Sequence, residues 1–346
     1  MFETPARMKS AQSRWAYGAG RRLCLLASIV VVIALLPFVF QGSYWRGIIT
    51  ICAINVMLAL GLDFIFGYAG QLSLGHSAFS GIGAYTSTVL VTALGLNFWI
   101  ALLCGVFAAG LAGVLLSAFA VRLKGHYLAI ASLAFAVITY QILVNWISVT
   151  QGPLGIYGIP APPPLTIPGV IQINFGNQQV FFYLVAGLAL LSYLVLSNLT
   201  RSPIGDALTA VREDEISAAS LGIRGTTWKL VAFGIGCAIA GLAGCLYASF
   251  IGTLVPDAFF VTESFTILAM VVIGGRGNLW GAVLGAVLLT VGPELLRGIG
   301  DFRLTIYGLA LTLVALFLPG GLSGVLIQAA RRIGRYARSA KSETHA

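Results

Sequence analysis

Apolar residues run along this chain in long unbroken blocks, separated by short polar or glycine-rich stretches, and not in the alternation of a half-buried strand. At ~1.5 Å rise per residue, roughly 20 apolar residues cross a bilayer core. Blocks of about that length stand at residues 23–40, 46–66, 74–95, 98–121, 127–147, 180–197, 229–251, 260–273, 279–296 and 304–318. The pattern predicts an all-α, polytopic membrane protein of about ten transmembrane helices. Composition agrees, with 58% hydrophobic and 9% charged types among 346 residues, against roughly 25% charged in a soluble domain. So few charges cannot cover a water-facing surface, which excludes a soluble enzyme and a disordered chain.

Charge gives the orientation. Lys and Arg number 20 against 11 Asp and Glu. Arg7, Lys9, Arg14, Arg21 and Arg22 precede the first block, and Arg331, Arg332, Arg335, Arg338 and Lys341 follow the last. With the N-terminus inside, Arg122, Lys124, Arg201, Arg212, Arg224, Lys229 and Arg276 also fall inside, leaving Arg46, Arg297 and Arg303 outside. Inner loops carry the excess of Lys and Arg, so both termini are expected in the cytoplasm. No basic stretch is interleaved with stacking aromatics, as a single-strand nucleic-acid groove requires, so the expected partner is lipid and not nucleic acid. Leu23 to Phe40 is longer than a signal-peptide core, and no small-x-small site follows in Gln41 to Trp45. It reads as a retained signal anchor. Cys24, Cys52, Cys104, Cys237 and Cys245 all sit in apolar blocks without a C-x-x-C, which supports neither a disulfide framework nor a metal site. No Lys follows a Gly, so no P-loop exists, and H-E-x-x-H and G-x-S-x-G are absent as well.

Two hydrophilic interruptions differ in kind. Residues 148–179 hold Pro153, Pro160, Pro162, Pro163, Pro164 and Pro168 and no charge. They predict an extended external strap, either a connector or a docking surface for an extracytoplasmic partner. Residues 198–229 predict a cytoplasmic helix from Gly205 to Gly222, with Pro203 in its first turn and a stripe of Leu208, Val211, Ile216, Ala219 and Leu221. Asp206, Glu213, Asp214 and Glu215 stand against Arg212 on its polar side. Anionic lipid repels such a face, so a protein partner is the better reading.

Gly67 to His76 carries Gly67, Gly70 and Gly75 among polar residues and makes a poor continuous helix. At membrane depth such backbone persists only where protein buries it or where it lines a wet cavity. Asp63 and His76 flank it, while Glu263 and Glu294 are expected near outer ends. Gly67-Tyr-Ala-Gly-Gln-Leu72 and Gly274-Gly-Arg-Gly-Asn-Leu279 share the form G-x-x-G-[Q/N]-L, which hints at an internal repeat. Gly277, Gly281 and Gly285, spaced by four, are expected to share one packing face of a helix.

The run GLDFIFGYAGQLSLGHSAFSGIGAY at 61–85, with AVREDEISAASLGI at 210–223 and IGGRGNLWGA at 273–282, resembles the LivM family. These are permease subunits of ABC importers for branched-chain amino acids, and the likeness spans roughly residues 45 to 325. It implies a non-catalytic permease domain at 23–321 in the bacterial inner membrane, between basic cytoplasmic segments at 1–22 and 322–346. It implies a second, LivH-like permease, two cytoplasmic ABC ATPases and a periplasmic substrate-binding protein. No cofactor is expected on this chain, since ATP and Mg belong to the partner subunits. Carried over, Ala210, Arg212, Glu213, Asp214, Glu215, Ala218, Ala219 and Gly222 form the segment that couples to an ATPase. The importer pattern E-A-A-x-x-x-G reads here as Glu215-Ile-Ser-Ala-Ala-Ser-Leu-Gly222. Asp63, Gly67, Gly70, Gln71, Ser73, Gly75 and His76 are the candidates for the translocation pathway. The alternatives are the same importer class carrying urea, short amides or aromatic acids, or a stand-alone secondary carrier.

Overall fold

A computed structural model describes residues 31, 33–39, 42–120, 126–167, 171–302, 308, 309, 312 and 321–324. The 1–22 arm, most of the first and tenth apolar blocks and most of the 322–346 tail lie outside the described residues. The elements are α1 (Ser43–Asp63, continued by a wider π turn, Phe64–Tyr68), α2 (His76–Thr92), α3 (Phe98–Ala120), α4 (His126–Asn145) and α5 (Gln178–Thr200). Then come α6 (Pro203–Glu213), α7 (Glu215–Ser220), α8 (Gly225–Ile251), α9 (Val261–Gly274) and α10 (Leu279–Leu295). Among the described residues six helical stretches are long and apolar enough to cross a membrane. The chain is an all-α, multi-pass membrane protein.

Side chains set several helix starts. Asn177, Ser202 and Asn278 accept the backbone N–H of Gln179, Ile204 and Trp280 at 2.9, 3.2 and 3.1 Å. Each satisfies a donor that the first turn leaves without a partner. The central helix is α8, which packs against α1, α2 and α3. Small residues stand at these crossings: Gly236 against Gly61, Gly241 against Gly83 and Ala109, and Gly244 against Ser80. A Cβ on Gly236 would stand 2.6 Å from the Gly61 carbonyl oxygen. In lipid, where burial gives helices no mutual drive, this close approach supplies the packing that holds them. Phe79 fills the space beside it, stacked on Phe135 at 5.2 Å and edge-on to Phe233 at 5.9 Å.

Two shorter helices begin inside the bundle. Gly47 lies opposite Phe250 and Gly61 opposite Gly236, so α1 and α8 run antiparallel. His76, the first residue of α2, stands beside Gly61 at the level of Gly236. That is roughly 16 Å along α8 from its start, at 1.5 Å per residue. The non-helical residues 69–75 therefore turn back into the protein. At the other end, the tract after α8 turns inward and delivers α9, whose Ser264 Oγ meets Ser77 Oγ at 2.7 Å. The Ser77 amide donates to Ser264 Oγ at 3.0 Å, and its hydroxyl lies within reach of the Phe259 and Phe260 carbonyls. The N-termini of α2 and α9 thus meet in the interior, one helix leading to each end of the molecule. The 148–179 strap is stitched to the second inward tract: β1 (Ile156–Tyr157) pairs antiparallel with residues Thr253–Leu254. The Ile159 amide donates to the Gly252 carbonyl at 3.1 Å. Further along the strap, β2 (Leu165–Ile167) pairs with β3 (Ile171–Ile173), and Thr253–Leu254 is β4.

Three expectations change. The 198–229 segment holds two helices and not one, because Asp214 adopts extended backbone (φ −154°, ψ 108°) and caps α7 with its own carboxylate. Gly277 does not share the face of Gly281 and Gly285, because it precedes α10 with φ +74°, a conformation that favours glycine. Glu263 lies not at the far end of a full span but in the first turn of the inward-starting α9.

Candidate transport site and coupling surface

The two G-x-x-G strings meet each other and the last turn of α6. Asp63 is fully buried, and its Oδ1 accepts the Gly277 amide at 2.7 Å. The Gly67 backbone lies against Gly277, and the Arg212 Nη1 donates to the Gly67 carbonyl. Gly70, at φ +69°, lies under the aliphatic stem of Arg212, where a Cβ would come within 2.7 Å of Cγ. Arg276 stands 5.6 Å over the Phe66 ring. A guanidinium donating to a carbonyl makes a stronger bond than a neutral pair. Arg212 is held in place because α6 buries Leu208 and Val211 and is capped by Ser202. The junction can carry a displacement of α6 to the end of α1 and to the α9–α10 turn together.

The other pathway candidates fall elsewhere. The Gly75 backbone packs on the Ser132 carbonyl of α4, and the Leu74 amide donates to Ser132 Oγ at 2.9 Å. Gln71, Ser73 and His76 are buried within the inward tract. A cavity of about 240 Å³ with mixed polar and apolar walls opens instead beside the meeting of α2 and α9. An apolar groove of about 370 Å³ runs along α1, α5 and α10. Glu294 joins the far end of α10 to Tyr44 by a side-chain hydrogen bond, with Arg297 4.6 Å over the Tyr44 ring.

On α7 the Asp214 carboxylate accepts the Ile216 and Ser217 amides at 2.9 and 3.2 Å and the Ser217 hydroxyl at 2.7 Å. The Ser217 hydroxyl first, then the two amides, hold its carboxyl below the usual carboxylate range. Glu215 pairs with Lys229 at 2.7 Å. Ala218 is buried, Ala210 half-buried, and Glu213, Ala219 and Gly222 are exposed. Ile216 and Leu221 are 83% and 80% exposed. The stripe read from the sequence kept both with Leu208 and Val211 on one helix. The break at Asp214 turns them to the surface, and the Asp-x-x-Ser spacing of Asp214 and Ser217 was the available signal of that cap.

Residues 44–327 match the model of the branched-chain amino acid transport system permease component. The chain belongs to that family. It is 37% identical to the LivM permease protein of Salmonella typhimurium, a high-affinity branched-chain amino acid transport system component, over 87% of this chain and 75% of the relative. It is 29% identical to the probable LivM of Methanocaldococcus jannaschii over 77% of this chain and 75% of the relative. The LivH permease protein of Salmonella typhimurium is 26% identical, covering 82% of this chain and 96% of that one. No solved structure matches the chain. The junction, the α6–α7 unit and both inward tracts all lie within the matched residues.

Proposed function

We propose that this chain is one permease subunit of an ABC importer that moves branched-chain amino acids across the bacterial inner membrane. It is driven by two cytoplasmic ATPases and supplied by a periplasmic binding protein. The observation that carries this is the Arg212 junction, which ties an exposed, partner-ready helix pair to both halves of the transmembrane core. Similarity to both LivM and LivH relatives supports a core of two related permeases, with a LivH-like chain as the second. Arg201, Arg212, Arg224, Lys229 and Arg276 share one end, while Arg46 and Arg297 stand at the other with Tyr44. This distribution supports the first as the cytoplasmic end, in a chain of about ten helices with both termini on that side.

In this reading ATP and Mg act on the partner ATPases, whose closure moves α6–α7 as a unit. Ile216 and Leu221 supply the apolar contact to an ATPase, and Glu213 a charged rim. Arg212 passes the movement to Gly67 and, beside it, Gly277, so the end of α1 and the α9–α10 turn move with α6 and expose the pathway alternately. The strap at 148–179, fixed to the tract before α9, faces the binding protein. The double variant Ile216→Asp, Leu221→Asp tests the docking role. Pull-down of the variant from membranes should lose the ATPases while keeping the second permease. Retention of the ATPases at the parent level would remove α7 from that role.

A further inference from the structure

We propose that the cavity beside the meeting of α2 and α9 is the station where the transported amino acid binds within this chain, which rests on the importer reading above and gives it a site. The cavity measures about 240 Å³, space for about eight waters at ~30 Å³ each. Its polar lining is Asn55, Ser80, Tyr247 and Glu263. Ser77 also reaches it, but that hydroxyl is engaged with Ser264 and the Phe259 and Phe260 carbonyls and forms the floor. Ser80 differs: it is 5% exposed, and its hydroxyl has no hydrogen-bond partner among the described residues. As a lining residue it is free to donate to what occupies the cavity.

The chemistry of the walls selects an α-amino acid. Glu263 is the one charged group in the lining, and no Lys or Arg balances it, so it matches an ammonium group. The N-termini of α2 and α9 converge beside it. Their dipoles place positive potential where a carboxylate would sit, with the Ser80 hydroxyl as a donor. Asn55 donates through Nδ2 to Thr290 Oγ1 at 2.9 Å, which directs its amide and leaves its carbonyl oxygen as an acceptor. Ile51, Ile54 and Ile267 form an apolar side suited to a branched aliphatic chain. The larger groove between α1, α5 and α10 has almost no polar lining and suits hydrocarbon, not a zwitterion. The station's walls come from α1 and α2 on one side and α8 and α9 on the other. Two of these helices, α1 and α9, end at the Arg212 junction, so a movement there reshapes the site.

The test uses the complete importer, both permeases with the ATPases and binding protein, in proteoliposomes supplied with ATP, and radiolabelled leucine and alanine as probes. Glu263→Gln is expected to cut leucine uptake at least tenfold. Ala258→Leu, which narrows the cavity from the inward tract, is expected to lower leucine uptake at least fivefold relative to alanine. If Glu263→Gln does not assemble, the leucine-to-alanine ratio of Ala258→Leu decides. Variant uptake and ratio within twofold of the parent would overturn the station while leaving the importer reading intact. A parent complex that takes up no branched-chain amino acid would overturn both.

Discussion

Arg212 shows how much one side chain can carry: its guanidinium reaches the Gly67 carbonyl while its stem covers Gly70 and its tip lies 3.3 Å from where a Cβ on Gly277 would stand. Arg212→Ala should therefore lower ATP-driven uptake at least tenfold while the ATPases still co-purify, because α7 is untouched. Arg212→Lys should recover only part, since an ammonium is a point charge without the planar fork. Uptake and pull-down on the same preparations separate these outcomes. Gly285 tests the packing claim, because a Cβ there meets the Met270 carbonyl of α9. Gly285→Val should destabilise the protein by about 1–3 kcal/mol, the usual cost of overpacking, seen as a lower unfolding midpoint in detergent. At this scale the sequence was partly legible. Asp63, Gly67 and Gly70 stand out as a buried acid and glycines in an apolar run. Their partner Gly277 shares a string with Gly67, but a shared string does not reveal that two segments touch. Arg212 read as a surface charge because nothing in the helical pattern places a carbonyl beside it.

Among the elements, the α6–α7 break is the feature that the apolar pattern conceals. A continuous stripe through Leu208, Val211, Ile216 and Leu221 fits one helix, yet the Asp214 carboxylate competes for the backbone at its centre. That carboxyl is held below the usual range by its Ser217 and amide donors. A lowered folded pKa gives stability that is complete above the ordinary carboxylate range and lost as pH falls through the lowered value. Protection from hydrogen exchange at 216–220, taken relative to the intrinsic rate at each pH, should fall on acidification past that range, and Asp214→Ala should show low protection already at neutral pH with a flat profile. The inward start of α2 was partly legible in the glycines of 67–76, whereas that of α9 was hidden. A tract that turns into the protein and a loop that turns into water use the same Gly, Ser and Pro, and only packing against Gly61, Ser132 or Ser264 distinguishes them.

For the whole molecule, the fold class followed directly from block length and charge scarcity, because lipid leaves few other ways to satisfy a backbone; among the described residues six helical stretches are long and apolar enough to cross. Phe107, Phe119 and Leu103 on α3 and Tyr127 and Ile130 on α4 are each more than 60% exposed, an outer surface suited to hydrocarbon or to a second permease and not to water. The source of power is the central claim, and reconstitution measures it directly. Vesicles holding this chain with its second permease, binding protein and ATPases should accumulate leucine uphill only when ATP is present. Uphill accumulation by vesicles holding this chain alone, or by the full complex without ATP, would contradict the account.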